Sequence, residues 1–314
     1  MSHVHVVAAA AGTGHLSWLE AAVIGLLQGV TELFPISSLG HSVLIPAVVG
    51  GSWARDLNVS SPESPYLAFI VGLHVATAIA LIVYFWRDWV RIVGGVVSSI
   101  RGRKVETADE RLAWLLILAT IPVGLTGLLL EHTFRTVLAK PVPTAIFLML
   151  NGLVLLVAEK YRRRSAEASE DPEQMPDGGG GTTLATDRRL ATLPVRRAVL
   201  VGSAQIVALA PGISRSGVTM AAGLRAGLNH QDAARFSFLL ATPVILAAGV
   251  LKIPDLFGPL GAGIHGQVLL GSVLSGLAAY AAVRFLDRYF VNNSLRPFAY
   301  YCLIAGAVCL ALVS

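Results

Sequence analysis

Charged side chains are too scarce in this chain to cover a water-facing surface. They make up 14% of its 314 residues, against about 25% in soluble domains. With 54% hydrophobic residues and a mean hydropathy of +0.68, the composition excludes an ordinary soluble enzyme. The net charge of +5 therefore does not point to nucleic acid as a partner, because the basic residues gather in a few loops where they set orientation in a bilayer. Cysteine is nearly absent. Cys302 and Cys309 lie two helical turns apart in one apolar run, roughly 10 Å along the axis, too far to bridge. They read as small packing residues. The N-terminus, MSHVHVVAAAAGTGHLSW, has no basic start before its apolar stretch and makes a poor signal peptide.

What the chain has in abundance is long apolar sequence. Residues 66–86, 112–130, 142–158, 236–252, 267–285 and 298–313 approach the roughly 20 residues that cross a bilayer. The expected fold class is thus an all-α integral membrane protein with about six transmembrane helices. Two further apolar regions, 16–50 and 198–227, are broken midway by Pro, Gly and Ser. The basic loops 87–111 and 159–197, and the connection 286–297 with Arg288 and Arg296, read as cytoplasmic; the connection 131–141, with only Arg135 and Lys140, reads as external. Counting crossings from these loops makes region 198–227 leave the cytoplasm and return to it, since Arg225 and Arg235 precede the next span. Region 16–50 is expected to do the same from outside. Each half is then a re-entrant helical hairpin followed by three spans, an inverted-topology repeat.

The broken segments support that pairing. QGVTELFPISSLGH (28–41) aligns without gaps to QIVALAPGISRSGV (205–218), an offset of 177. LATIPVG (118–124) and LATPVI (240–245) echo each other more weakly. The expected organisation is one membrane domain: a first repeat at about 16–158, a disordered cytoplasmic linker at about 165–190, and a second repeat at about 198–314. The linker reading rests on AEASEDPEQMPDGGGGTTLAT, low in hydrophobicity with successive glycines. Irregular backbone at membrane depth must be buried in protein or line a wet cavity, so the two kinks are expected to meet at one cavity.

Those kinks carry the polar chemistry. An arginine in a re-entrant turn needs an anion, and the planar fork of Arg215 suits a phosphate. Gly212 and Gly217 let backbone approach closely, the start of the following helix favours an anion, and Ser214, Ser216 and Thr219 add donors. Alternatively, Arg215 merely pairs with Glu32. In the first kink, Gln28 and Glu32 share a helix face. Glu32 is a candidate oxygen ligand for a divalent metal, or a base, or the group that orients His41. His41 can exchange protons near neutral pH. Ser38 is a nucleophile if His41 activates it, or it joins Ser37 in binding phosphate; the plainer alternative is that these groups only cap broken helix ends. His74, inside the first full span, reads more as a packing residue than as a cavity residue.

QGVTE (28–32), PISSLGH (35–41), PGISRSGVT (211–219) and YFWRDW (84–89) together resemble the undecaprenyl-diphosphatase, or bacitracin-resistance protein, family, and the likeness covers nearly the whole chain. The resemblance implies hydrolysis of a long-chain polyprenyl diphosphate, undecaprenyl diphosphate, to recycle the lipid carrier of cell-wall synthesis in the bacterial plasma membrane. It implies functional roles for Gln28, Glu32, Ser38, His41 and Arg215, with Ser214, Ser216 and Thr219 as donors. It also implies Mg²⁺ or Ca²⁺ dependence, a homodimer and an outward-facing site. The family's first motif position is Glu or Gln, and Gln28 stands there, which weakens any expectation of a two-carboxylate metal site. The rival class is a polyprenyl-phosphate flippase or ion-coupled transporter, in which Arg215 recognises phosphate and no bond breaks.

Overall fold

The computed structural model describes residues 16–59, 65–167, 183–258 and 261–314. Among them every regular element is helical and there is no strand. Six helices are long and apolar enough to cross a membrane: α4 (Pro65–Tyr84), α6 (Ala108–Leu138), α7 (Pro141–Glu167), α11 (His230–Phe257), α12 (His265–Asn292) and α13 (Arg296–Val313). All six fall on the runs expected from hydropathy.

The two broken regions form shorter helices. α1 (Trp18–Thr31) and α2 (Ser38–Val49) have 14 and 12 residues, about 21 and 18 Å at 1.5 Å per residue. Neither crosses a hydrocarbon core of about 30 Å. α1 starts at a reciprocal cap: Ser17 Oγ accepts from the Glu20 amide at 3.2 Å, and the Ser17 amide donates to Glu20 at 2.8 Å. It stops at Glu32 because Pro35 bars the preceding residue from helical backbone. In the second region α9 (Val195–Ser203) runs into a 3₁₀ stretch, Ala204–Leu209, then the Pro211–Ser214 turn and α10 (Arg215–Arg225).

Close approach of backbones fixes the packing. α1 lies on α12, and α9 on α6. A Cβ on Gly25 would stand 2.6 Å from the Gly271 carbonyl oxygen, and one on Gly202 would stand 2.0 Å from that of Ala119. α4 packs on α11 and α12, and α7 on α13. The weaker sequence echo falls in α6 and α11.

Two elements occupy stretches that charge alone made look like loops. α5 (Trp86–Gly102) buries Asp88, Ile92, Gly95 and Ser99 along one face and leaves Trp86, Val90, Val93, Val97 and Ile100 exposed along another, the pattern of a helix lying in a membrane interface. α8 (Thr183–Ala191) lies at the C-terminal end of the segment expected to be linker; residues 168–182 lie outside the described residues. Charge pairing explains why α8 is held. Asp187 receives Arg235 at 2.6 Å and Arg91 at 2.7 Å, Asp88 pairs with both arginines, and Arg189 grips Asp232 through two bonds of 2.7 and 2.8 Å. The short α3 (Gly51–Asp56) follows α2.

Candidate active site

The turns that break the two regions meet. Ser214 and Ser216, from the second, donate to the Phe34 carbonyl of the first at 3.4 and 3.2 Å. Asn151, on α7, clamps both: its amide nitrogen donates to the Pro35 carbonyl at 2.9 Å, and its oxygen accepts the Ser214 amide at 3.0 Å. The junction admits no side chain at Gly212. Its φ is +106°, and a Cβ there would lie 2.4 Å from the Thr144 carbonyl oxygen.

At this junction Glu32, only 8% exposed, collects donors on both oxygens. Oε1 accepts from Arg215 Nη2 at 3.1 Å and Nε at 3.3 Å. Oε2 accepts from Ser38 Oγ at 2.5 Å and Gln28 Nε2 at 3.2 Å, and lies 3.4 Å from His74 Nε2. The carboxylate therefore joins α1, α2, α4 and α10. Two polar atoms at the site are buried and have no partner: Gln28 Oε1, an acceptor, and Arg215 Nη1, a donor. Four other buried side-chain atoms among the described residues, Gln205 Oε1 and Arg235 Nη1 included, are unpaired in the same way. α10 adds the dipole of its N-terminus beside Arg215.

His41 stands apart from Glu32. Its Nδ1 is 2.7 Å from the Ser37 carbonyl and its Nε2 is 2.7 Å from the Tyr301 hydroxyl. The hydroxyl of Ser38 is thus bonded to Glu32 rather than to His41, the partner considered from the sequence. Ser37 has φ +70°, uncommon for a side chain other than glycine, and its Oγ caps α2 by accepting the Gly40 amide at 3.2 Å. Ser214 caps α10 through the Gly217 amide at 3.1 Å, and Ser214 Oγ lies 3.0 Å from Ser216 Oγ. Thr219 donates to the Arg215 carbonyl at 2.7 Å. The structure thus brings Gln28, Glu32, Ser38 and Arg215 into direct contact, while Ser37, Ser214, Ser216 and Thr219 bond the hairpins internally or to each other.

Three residues join the site without having been placed there from the sequence: His74, Asn151 and Tyr301. Asn151 and His74 each stand as a lone polar group in a run long enough to span, which is the only signal either gives. Tyr301 gives none, since tyrosine is ordinary near a membrane boundary. The described residues hold no cluster of three His, Cys, Asp or Glu side chains arranged for a metal. What they offer a cation is a hard oxygen set, Glu32 and the unpartnered Gln28 Oε1, of the kind Mg²⁺ completes with substrate phosphates and water.

Comparison with known proteins gives the family. Residues 21–308 match the family model "Bacitracin resistance protein BacA". The chain is 64% identical over 298 residues to an "Undecaprenyl-diphosphatase" of Mycolicibacterium paratuberculosis, covering 95% of this chain and 98% of that protein. It is 51% identical to "Undecaprenyl-diphosphatase 1" of Frankia casuarinae, covering 93% and 97%. It is 43% identical to "Undecaprenyl-diphosphatase 2" of Chromobacterium violaceum, covering 92% and 96%. With the family model matched from α1 to α13 and relatives aligned over nearly their whole length, this multi-pass membrane protein belongs to the BacA bacitracin-resistance family.

Proposed function

We propose that the chain is an undecaprenyl-diphosphatase, a membrane hydrolase that cleaves undecaprenyl diphosphate to undecaprenyl phosphate and phosphate. It thereby recycles the cell-wall lipid carrier and confers bacitracin resistance. One observation carries this assignment beyond the relatives' names: a carboxylate holding a serine hydroxyl at 2.5 Å stands beside an arginine whose Nη1 amino group has no partner, inside a membrane protein.

The chemistry follows from those contacts. Arg215 Nη1 and the first amides of α10 hold oxygens of the terminal phosphate. Ser38 Oγ attacks the terminal phosphorus and gives its proton to Glu32 Oε2. The bond from that phosphorus to the bridging oxygen breaks, and undecaprenyl phosphate leaves with the electron pair. Water then attacks the phosphoserine, its proton is taken up by a basic group of the site, and Ser38 recovers its hydrogen as inorganic phosphate departs. Phosphoryl transfer is mostly positioning and charge stabilisation, which the paired hairpins supply. Glu32 and Gln28 Oε1 would hold Mg²⁺ or Ca²⁺, and the ion, when bound, neutralises charge on the phosphates.

The same proposal takes the two halves as an inverted repeat with an outward-facing site. Gly202 follows Gly25 by the 177-residue offset that aligns the hairpins. Each glycine makes the close approach of its first hairpin helix to the middle span of the opposite half, α9 to α6 and α1 to α12. The test is phosphate release from undecaprenyl diphosphate by protein purified in detergent with Mg²⁺ or Ca²⁺. Release abolished by a chelator is expected. Silence from folded protein, with lipid translocation in liposomes, would move the assignment to a flippase.

A further inference from the structure

Among the described residues, the His41 ring hydrogen-bonds to one side chain, that of Tyr301. The Ser37 carbonyl only accepts, so His41 Nδ1, 2.7 Å from it, carries the ring hydrogen of the neutral imidazole. That leaves the lone pair on Nε2. Among the described residues the only side chain bonded to Nε2 is Tyr301, 2.7 Å away, and with Nδ1 protonated its O–H is the donor. The rings lie nearly parallel, 10° apart with centroids at 5.8 Å, so the tyrosine constrains both the plane and the lone pair of the histidine. His41 is 7% exposed, whereas Tyr301 is 43% exposed.

The register of this contact is built in. Tyr301 precedes Cys302, which is fully buried and accepts from the Asn151 amide at 3.3 Å. The same amide holds the Pro35 carbonyl at 2.9 Å. The clamp that joins the two hairpin tips therefore also sets the height of α13 against α2. Ser37 contributes from the other side, since its φ of +70° fixes the carbonyl that receives Nδ1–H.

We propose that Tyr301 is a positioning residue for His41: its hydroxyl orients the imidazole that the Ser37 carbonyl holds in the Nδ1–H tautomer and keeps Nε2 as a proton acceptor, so that His41 works in the reaction as a base gated by the C-terminal span. The proposal rests on the diphosphatase assignment. On it, His41 Nε2 takes the proton of the water that attacks the phosphoserine, with the Tyr301 hydroxyl turning away to release the lone pair. The water loses one hydrogen, the imidazole gains it, and the tyrosine keeps its own.

Tyr301→Phe tests this, because it removes the hydroxyl and keeps the ring. The expected result in the undecaprenyl diphosphate assay is a fall in kcat of about 10- to 100-fold, the scale of a misplaced catalytic group, with KM and the thermal midpoint little changed. In the His41→Gln background the same substitution should change the residual rate by less than about twofold, since the two act as a unit. A second measurement does not depend on activity. In protein labelled with ¹⁵N-histidine, with His41 assigned by its loss in His41→Gln, the Nε2 resonance should be that of a hydrogen-bonded lone-pair nitrogen and should move in Tyr301→Phe. An unmoved resonance, a wild-type kcat, or an equal loss in both backgrounds would overturn the proposal. A wild-type enzyme that releases no phosphate, beside a resonance that does move, would count against the diphosphatase assignment and leave the positioning contact standing.

Discussion

Replacing Glu32 by glutamine changes one atom and tests whether the carboxylate is the centre of the site. Its two oxygens accept four hydrogen bonds: two from Arg215, one from Ser38 and one from Gln28. An amide has one acceptor end. In either orientation the guanidinium of Arg215, with 13% side-chain exposure, loses its counter-charge; an NH₂ facing Arg215 also costs it its acceptor, and one facing α2 costs Ser38 and Gln28 theirs. A buried charge stripped of its partner costs about 3–5 kcal/mol, and a bond from an ionised group about 1.5–3 kcal/mol. Glu32→Gln is thus expected to destabilise the protein by about 3–5 kcal/mol and to lower kcat at least about 100-fold, because the acceptor of the Ser38 proton is gone. Stability is read from thermal unfolding in detergent, and activity from phosphate release at a temperature where the variant is folded. The decisive comparison is Glu32→Gln with Arg215→Gln. Removing both charges relieves the uncompensated cation, so stability should recover most of the loss while activity stays absent. A double variant as unstable as the single, or a Glu32→Gln enzyme at wild-type rate, would refute this account of the carboxylate.

Two further outcomes follow from the packing. Gly212→Ala forces an L side chain to φ +106° with its Cβ 2.4 Å from the Thr144 oxygen; strain of about 1–3 kcal/mol and overpacking of about 1–3 kcal/mol should add, and activity should fall with the displaced Arg215. A Gly212→Ala protein that melts and turns over like wild type would show that the tip is looser than described. Asp187→Ala leaves Arg235, 2% exposed, with Asp88 alone; unfolding should come about 3–5 kcal/mol earlier in a denaturant titration, while kcat of the folded protein is kept. A matched loss of kcat at unchanged stability would place that cluster in the reaction instead.

How much of this was legible beforehand depended on the kind of signal. Apolar length is written directly in a sequence, and all six spans fall where length put them. The breaks between the short helices were legible because Pro35, Pro211 and Gly212 interrupt apolar runs. Glu32 and Arg215 were legible because a charge at that depth must find a partner; whether the partner is a phosphate or the other charge was left open, and in this structure Arg215 rests on Glu32 with its Nη1 group unpartnered. α5 was not legible from charge counting, which saw Arg87, Arg91 and Arg101 and passed over the apolar stripe from Trp86 to Ile100. α8 was hidden in the same way, since its hold depends on Asp187 meeting Arg235 and Arg91 from distant helices. Tyr301 lies 260 residues from His41, and no local pattern announces a contact made only by tertiary packing.

The central claim is that the two hairpins, 177 residues apart in sequence, form one diphosphate site around Arg215. The most direct measurement is phosphate release from undecaprenyl diphosphate by Arg215→Ala beside wild type, both in detergent with a divalent cation and both shown to be folded. Release by wild type with none from Arg215→Ala is the predicted result. Equal release by both proteins would contradict it.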